Sequence, residues 1–328
     1  MKTLSYVLAA LGVLLASLLI GWFDAGRVLA SALSVGWGGF GLVCAWQIVI
    51  FAVLGVAWRV VTLRAADHPL WVFVWGRMVR DASANLLPFS QLGGFVFGAR
   101  AVTLHGVGWP TAAASTVVDV TAEFLAQLAF AAIGVVILLV RAPGADVTVP
   151  AEAGLAVAAV LAALFVLVQR RGAGGVGSIF AKLGHRIAGR WMTAMQEGMQ
   201  TVRAQLSESY KQPGRLALGW ALHLAGWLGT GVAGWIAYRL VGAPIDLAGA
   251  IAVEALLAAV AAVAFLVPVN AGVQEAGYAG LGAIFGVAPE VSLSVSLIRR
   301  ARDLVVGLPI LLIWQFVELR RLRPAAAK

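Results

Sequence analysis

The most regular feature of the sequence is a series of long apolar stretches separated by short polar segments. Six of them can cross a hydrocarbon core of ~30 Å as single α-helices. They are Leu4–Phe23, Trp37–Ala57, Ala112–Val140, Ala151–Val168, Leu216–Val241 and Ser292–Val317. The apolar runs are continuous and do not alternate with polar positions, which excludes a membrane β-barrel. The pattern therefore predicts an all-α, polytopic membrane protein with about six full spans.

The distribution of basic residues predicts how the chain is oriented in the membrane. Eight of the 24 lysines and arginines lie in residues 169–215, and others follow the second span and the last span. The loops at 141–150 and 242–246 contain no lysine. Because lysine and arginine accumulate on the cytoplasmic side of a membrane, both termini and residues 169–215 are predicted to be cytoplasmic.

Two further apolar stretches, Leu70–Arg100 and Leu247–Val287, are interrupted near their centres. The orientation of the loops is consistent only if each of these stretches enters and leaves by the same side. We therefore predict two re-entrant helical hairpins, the first opening to the cytoplasm and the second to the outside. Irregular backbone at membrane depth needs protein or water around it, so both tips are expected to point into the protein.

The two predicted hairpin tips resemble each other. Each has a proline followed a few residues later by glycine, where the chain must turn in little space. The tip residues are Pro88, Gly93, Gly94, Pro268 and Gly272. Matching tips that enter from opposite sides predict an inverted repeat within a single membrane domain, residues 1–328. The repeats are about 37–140, with the hairpin at 70–100, and about 216–318, with the hairpin at 247–287.

The segment between the repeats has a different pattern. In Ser178–Tyr210 an apolar residue recurs every three or four positions, with lysine and arginine beside that stripe. This predicts a cytoplasmic amphipathic helix within residues 169–215. Two interpretations remain open: the apolar face lies on anionic lipids of the inner leaflet, or it packs against the protein itself.

The composition narrows the class of protein. Hydrophobic residues make up 61% of the 328 residues and charged residues only 12%. A soluble fold of this size cannot bury so much apolar surface, which excludes a soluble enzyme. The net charge of +9 comes without a base-reading motif. Nucleic acid is therefore rejected as a partner, and anionic lipid is expected instead.

Charged and polar residues in the apolar stretches are the candidate binding residues. A charge at bilayer depth costs at least ~2.5–3.5 kcal/mol, so it is usually paired and often functional. The candidates for substrate binding are Arg77, Arg80, Asp81, Asn85, Gln91, Asp119, Glu123, Glu254, Asn270, Gln274, Glu275, Arg299, Arg300, Arg302 and Asp303. A purely structural role for these charges is the alternative.

The spacing of these residues predicts particular pairs. Arg77 and Asp81 are four residues apart and can pair along one helix face, which would leave Arg80 free for an anion. Asp119 and Glu123 share a face and repel each other unless a cation faces them or one of them is protonated. By the repeat, that cation is predicted to come from the arginines at 299–302. Glu254 could join this cluster, Glu275 is expected to cap the returning helix, and His223 to be a hydrogen-bonded core residue.

Sequence signals of catalysis are missing. The four histidines have no metal-binding spacing, and there is no phosphate-binding loop or nucleophile motif. The sequence therefore predicts no metal, no cofactor and no enzyme activity.

Several motifs together resemble a known family. They are Trp75–Asp81, Asn85–Gly94, Gly98–Arg100, Ser115–Gln127, Gly272–Tyr278 and Arg299–Asp303 with Gly307–Pro309. They resemble the hopanoid-biosynthesis-associated membrane proteins, in the flippase-like superfamily of the lysylphosphatidylglycerol synthetase transmembrane region. Val269 and Asn270 depart from that family, which tends to have small residues after the second tip proline.

The resemblance implies a bacterial inner-membrane protein that moves a lipid between leaflets or handles hopanoids. It concerns the membrane region of the synthetases, so it does not imply lipid synthesis. The expected substrate is a phospholipid or a hopanoid, and lipid-biosynthesis proteins are possible partners. Two alternatives remain: a membrane-embedded enzyme that uses Asp119, Glu123 or Glu254 as acid or base, and a scaffold of a lipid-biosynthesis complex.

Overall fold

The computed structural model describes residues 25–63, 65–87, 90–144, 192–264 and 270–322, with scattered residues between 149 and 163. These residues form ten α-helices and one short 3-10 helix, Ala65–Asp67, and contain no strand. The α-helices are α1 (Ala25–Leu33), α2 (Gly36–Val61), α3 (Leu70–Leu86), α4 (Ser90–Thr103), α5 (Trp109–Arg141), α6 (Met192–Tyr210), α7 (Pro213–Leu240), α8 (Leu247–Val263), α9 (Val273–Ile284) and α10 (Pro289–Leu322).

Three of the described helices, α2, α5 and α7, are long and apolar enough to cross a membrane. They coincide with the predicted spans at 37–57, 112–140 and 216–241. Large apolar side chains remain exposed along them, among them Leu42 on α2 and Val136 on α5. Such surface is unfavourable in water and suits lipid. The described part of the chain is therefore all-helical with the spans of a multi-pass membrane protein.

Some predicted features lie outside the described residues. These are the first span, Leu4–Phe23, most of Ala151–Val168, residues 169–191, and the tip prolines Pro88 and Pro268. The number of spans in the whole chain therefore stays a prediction.

Each interrupted apolar stretch forms two helices that pack against each other. In the first, α3 ends at Leu86 and α4 begins at Ser90, ending at Thr103, slightly beyond the predicted hairpin. In the second, α8 and α9 are joined by residues 264–272. Both stretches are thus helical hairpins, while their re-entrant orientation in a membrane stays a prediction.

The two halves of the chain make corresponding helix contacts. Helix α3 packs against α2 and α10, and its counterpart α8 packs against α7 and α5. The short helix α1 contacts α10, and in the corresponding position α6 contacts α5. Helices α2 and α7 pack on each other. Each hairpin is therefore held between the helix before it and the last helix of the other half.

Local features fix where several helices begin. Pro110, Pro213 and Pro289 stand in the first turns of α5, α7 and α10, where a missing backbone N–H costs nothing. Asp246 caps α8 by accepting the backbone N–H of Gly249 at 2.9 Å. This hydrogen bond keeps the pKa of the Asp246 carboxyl below its ordinary value.

The core lies between these helices in several apolar clusters. One is built around Trp58 and Phe73 of α2 and α3, and another around Tyr238 and Tyr278 of α7 and α9. Leu206 of α6 packs against the Trp58 cluster. At Leu206, the predicted apolar stripe of the amphipathic segment therefore packs against the protein itself.

Glycines allow close approach within the first hairpin. A Cβ atom at Gly94 would lie 2.7 Å from the carbonyl oxygen of Arg80, whereas the nearest described atom to one at Gly93 would be Phe97 Cε2, at 3.7 Å. Of the two predicted tip glycines in this hairpin, Gly94 is therefore the one that the packing of α3 against α4 requires. Gly272 has φ 75° at the start of α9, a conformation that favours glycine.

We expect Gly94→Ala to destabilise the protein and Gly93→Ala to leave it unchanged or more stable. Overpacking against backbone typically costs ~1–3 kcal/mol, while alanine in a helix gains about 1 kcal/mol over glycine. Thermal unfolding in detergent measures both variants, and Gly93→Ala is the matched control. Equal melting temperatures for the two variants would contradict the close approach of α3 and α4.

Candidate functional site

Buried charged residues form two clusters in the described structure. The first cluster joins α3, α5 and α7, and its members are Arg77, Arg80, Asp81, Asp119, Glu123 and His223. The second cluster joins α8, α9 and α10, and its members are Glu254, Glu275, Tyr278, Arg299 and Arg300. Each cluster connects one hairpin to a long helix outside that hairpin.

In the first cluster, two arginines of α3 meet two carboxylates of α5. The Nη1 of Arg80 donates to Asp119 Oδ2 at 2.7 Å, and its Nη2 donates to Glu123. Arg77 donates to Glu123 Oε1 through Nη2 at 2.5 Å and to Asp81 Oδ2 through Nε at 2.9 Å. Both arginine side chains are only 5% exposed, so their charges depend on these partners.

The helical repeat explains this arrangement. Residues three or four apart share a helix face, which aligns Arg77, Arg80 and Asp81 on α3 opposite Asp119 and Glu123 on α5. The guanidinium of Arg80 also lies 4.4 Å from the ring centre of a phenylalanine on α4, a cation–π contact. The first hairpin is thereby tied to α5 through α3, and Arg80 also links the two helices of the hairpin.

His223 of α7 completes the first cluster. Its Nε2 lies 2.8 Å from Asp119 Oδ1, and both side chains are fully buried. The prediction of a hydrogen-bonded core histidine is therefore confirmed. Its Nδ1 is buried without a hydrogen-bond partner among the described residues.

In the second cluster, Glu254 of α8 is held by two groups from other helices. Arg299 of α10 and the hydroxyl of Tyr278 on α9 both donate to it. The Nη1 of Arg299 also lies 3.1 Å from the Tyr278 hydroxyl. Glu254 is buried, and its charge is neutralised by α10 of the same half.

Glu275 connects the start of α9 to α10. Its carboxylate accepts from Arg300 Nε at 2.5 Å and Nη2 at 3.0 Å, a bidentate contact. It also accepts the backbone N–H of Gly272 at 2.9 Å, so the predicted capping role is confirmed. Gln274 donates to Ser296 Oγ at 2.9 Å. Asn270 has φ 48°, and its buried Oδ1 has no partner among the described residues.

The predicted pairing between the two halves is wrong. Asp119 and Glu123 pair with Arg77 and Arg80, whereas Arg302 pairs with its neighbour Asp303 at 2.7 Å. The reason is packing, because α10 contacts α3 and α9, and the helices of the second half that lie against α5 are α7 and α8. The expectation that Arg80 is free for an anion is also wrong, since two carboxylates surround it.

Six predicted site residues are not members of either cluster: Asn85, Gln91, Asn270, Gln274, Arg302 and Asp303. Asn85 is exposed at the end of α3, and the side chain of Gln91 lies outside the described part of the structure. Tyr278 and Ser296 were missed by sequence reasoning. Both lie on helix faces that also carry charged candidates. Tyr278, for example, follows Glu275 by three residues, and this spacing is the sequence signal that could have identified it.

The cavity at the second cluster is small. It is lined by Glu254, Tyr278, Arg299 and Arg302 among others, and its volume is about 10 Å³. That volume suits a single water molecule and excludes a lipid head group. The described conformation is therefore closed at this cluster. Within the described residues, no group of three or more His, Cys, Asp or Glu side chains could hold a metal ion.

The class that fold and charges define is an all-helical integral membrane protein with paired charges in its interior. The sequence matches the family described as Lysylphosphatidylglycerol synthase TM region over residues 9–310. The chain therefore belongs to that family. No curated protein and no solved structure matches it. An association with hopanoids stays a prediction.

We expect Arg80→Gln and Glu123→Gln to be coupled in a double-mutant cycle. Each single change leaves a buried charge without one of its partners, so the double variant should lose less stability than the sum, by ~0.5–3 kcal/mol. Unfolding in detergent provides the measurement. The control cycle is Glu123→Gln with Arg302→Gln, which should be additive within ~0.5 kcal/mol. Coupling between Glu123 and Arg302, together with additivity between Glu123 and Arg80, would mean that Arg302 and not Arg80 is the partner of Glu123.

Proposed function

We propose that this protein moves a polar-headed lipid, a phospholipid or a hopanoid, between the two leaflets of a bacterial inner membrane. The observation that carries the proposal is the pair of buried charge clusters, one at each hairpin, inside a multi-pass protein of this family. A head group crossing an apolar core needs polar partners at that depth. The arginine and carboxylate side chains of the two clusters are polar groups that could make such contacts.

The arginines of the second cluster are more exposed than those of the first. The second cluster is therefore the better candidate for contact with a head group. The side chains of Arg299 and Arg300 are 28% and 26% exposed, against 5% for Arg77 and Arg80. A phosphate can accept bidentate hydrogen bonds from a guanidinium as a carboxylate does. We infer that a head group competes with Glu254 and Glu275 for these two arginines, while the first cluster holds its hairpin in place.

Alternating access would follow from an inverted repeat. The corresponding contacts of α2–α5 and α7–α10 support such a repeat. Transporters with inverted repeats expose a central site to each side in turn by moving one repeat against the other. The hairpins α3–α4 and α8–α9 are the elements that would open the closed cavity, with both termini on the cytoplasmic side.

The enzyme alternative is less well supported by the geometry. Asp119, Glu123 and Glu254 each accept hydrogen bonds from a guanidinium, so the oxygen atoms that would have to take a proton from a substrate are already occupied. A scaffold in a lipid-biosynthesis complex would not require two buried charge clusters. We therefore favour transport without chemical modification of the lipid.

The test of transport is a reconstituted flipping assay. Purified protein in liposomes with a tail-labelled fluorescent phosphatidylglycerol should make the inner-leaflet label accessible to dithionite. The double variant Glu254→Gln/Arg299→Gln strands no charge, so it should fold and yet flip lipid about tenfold more slowly or worse. The exposed pair Arg141 and Asp246, changed to Gln and Asn, is the matched control and should keep the wild-type rate.

Two outcomes would contradict this proposal. One is a wild-type flipping rate for the folded double variant of the second cluster. The other is a modified lipid among the products recovered from the liposomes and identified by mass spectrometry, which would favour the enzyme alternative.

The proposed orientation predicts thiol labelling. Lys211 and Arg239 lie near opposite ends of α7. In a Cys44→Ser background, Arg239→Cys should react with an impermeant maleimide in intact spheroplasts, and Lys211→Cys should react only after permeabilisation. The opposite pattern would place the termini outside.

A further inference from the structure

A groove separate from both charge clusters lies where α2 ends and α7 begins. Its volume is about 480 Å³, and the 3-10 helix and the start of α3 complete its walls. Most of the lining is aliphatic, including Val56, Leu70 and Leu218, of which Leu70 and Leu218 are 40% and 52% exposed. This groove has room and apolar surface for a segment of hydrocarbon chain.

Two arginines, Arg59 and Arg215, line the same groove. Arg215 donates through Nε to the carbonyl of Val60 at 2.8 Å and through Nη2 to the carbonyl of Thr62 at 2.7 Å. These bonds fix its side chain at the end of α2. The acceptors are neutral, however, so the positive charge of Arg215 is not compensated by them.

One donor atom of the Arg59 side chain has no acceptor among the described residues. Its Nε is buried and has no hydrogen-bond partner among the described residues. Neither Arg59 nor Arg215 has a described carboxylate within 4.0 Å, in contrast to Arg77, Arg80 and Arg299. A buried donor without an acceptor is destabilising, and an anionic ligand would supply the missing acceptor.

We propose that this groove binds one anionic phospholipid of the cytoplasmic leaflet, with its phosphate between Arg59 and Arg215 and an acyl chain along Leu70 and Leu218. Charge complementarity selects an anion, and the exposed aliphatic wall selects a lipid over free phosphate. The predicted position of these arginines, on the positive side of the membrane, matches the leaflet that carries anionic lipids. The proposal does not depend on transport, because the groove shares no residue with the charge clusters.

The test is lipid binding by native mass spectrometry of the detergent-solubilised protein. Wild type should bind dioleoylphosphatidylglycerol in preference to dioleoylphosphatidylcholine. Arg59→Gln should weaken phosphatidylglycerol binding about tenfold, the effect expected for a hydrogen bond to a charged group. Arg239→Gln, an exposed arginine at the opposite end of α7, is the matched control and should bind as wild type.

Two further measurements separate the possible ligands. Leu218→Ser should also weaken phosphatidylglycerol binding, and because this side chain is exposed, the variant should fold normally. Millimolar inorganic phosphate should not displace the lipid. Wild-type affinity in Arg59→Gln, no preference for the anionic lipid, or full displacement by phosphate would each overturn the proposal.

Discussion

The interior of this protein is organised by the need to pair arginines that lie among apolar side chains. Arg77 and Arg80 are almost fully buried, and neither could be accommodated without the carboxylates of α5. Asp119 and Glu123 lie on a different helix from these arginines, so the ion pairs that they form also fix where α3 lies relative to α5. Electrostatic pairing therefore complements the close helix contacts that glycines such as Gly94 allow.

The hairpins could be predicted from the sequence because their signals are local. Proline, glycine and polar residues interrupt two apolar stretches, and the chain does form two helices in each. The sterically required glycine could not be chosen in the same way. Gly93 and Gly94 are neighbours in sequence but point in directions about 100° apart on α4, and only packing decides which one faces α3.

The members of the site were also largely predictable, whereas their partners were not. Any charge inside a long apolar stretch is a candidate, and this rule found the arginines and carboxylates of both clusters. Which carboxylate meets which arginine depends on helix neighbours far apart in sequence. Arg80 and Glu123 meet because the long arginine side chains of α3 reach the carboxylates of α5, and Arg302 is left to pair with Asp303.

The two halves correspond in packing but differ in charge. The second cluster balances Arg299 and Arg300 with Glu254 and Glu275. The first cluster sets two guanidinium groups against three carboxylates, and the imidazole of His223 contacts one of these, Asp119. Arg77 and Arg80 share Glu123, whereas in the second cluster Arg299 and Arg300 each have a carboxylate of their own. Separating α3 from α5 would therefore strand two buried arginines at once, while in the second cluster one pair could open and leave the other in place.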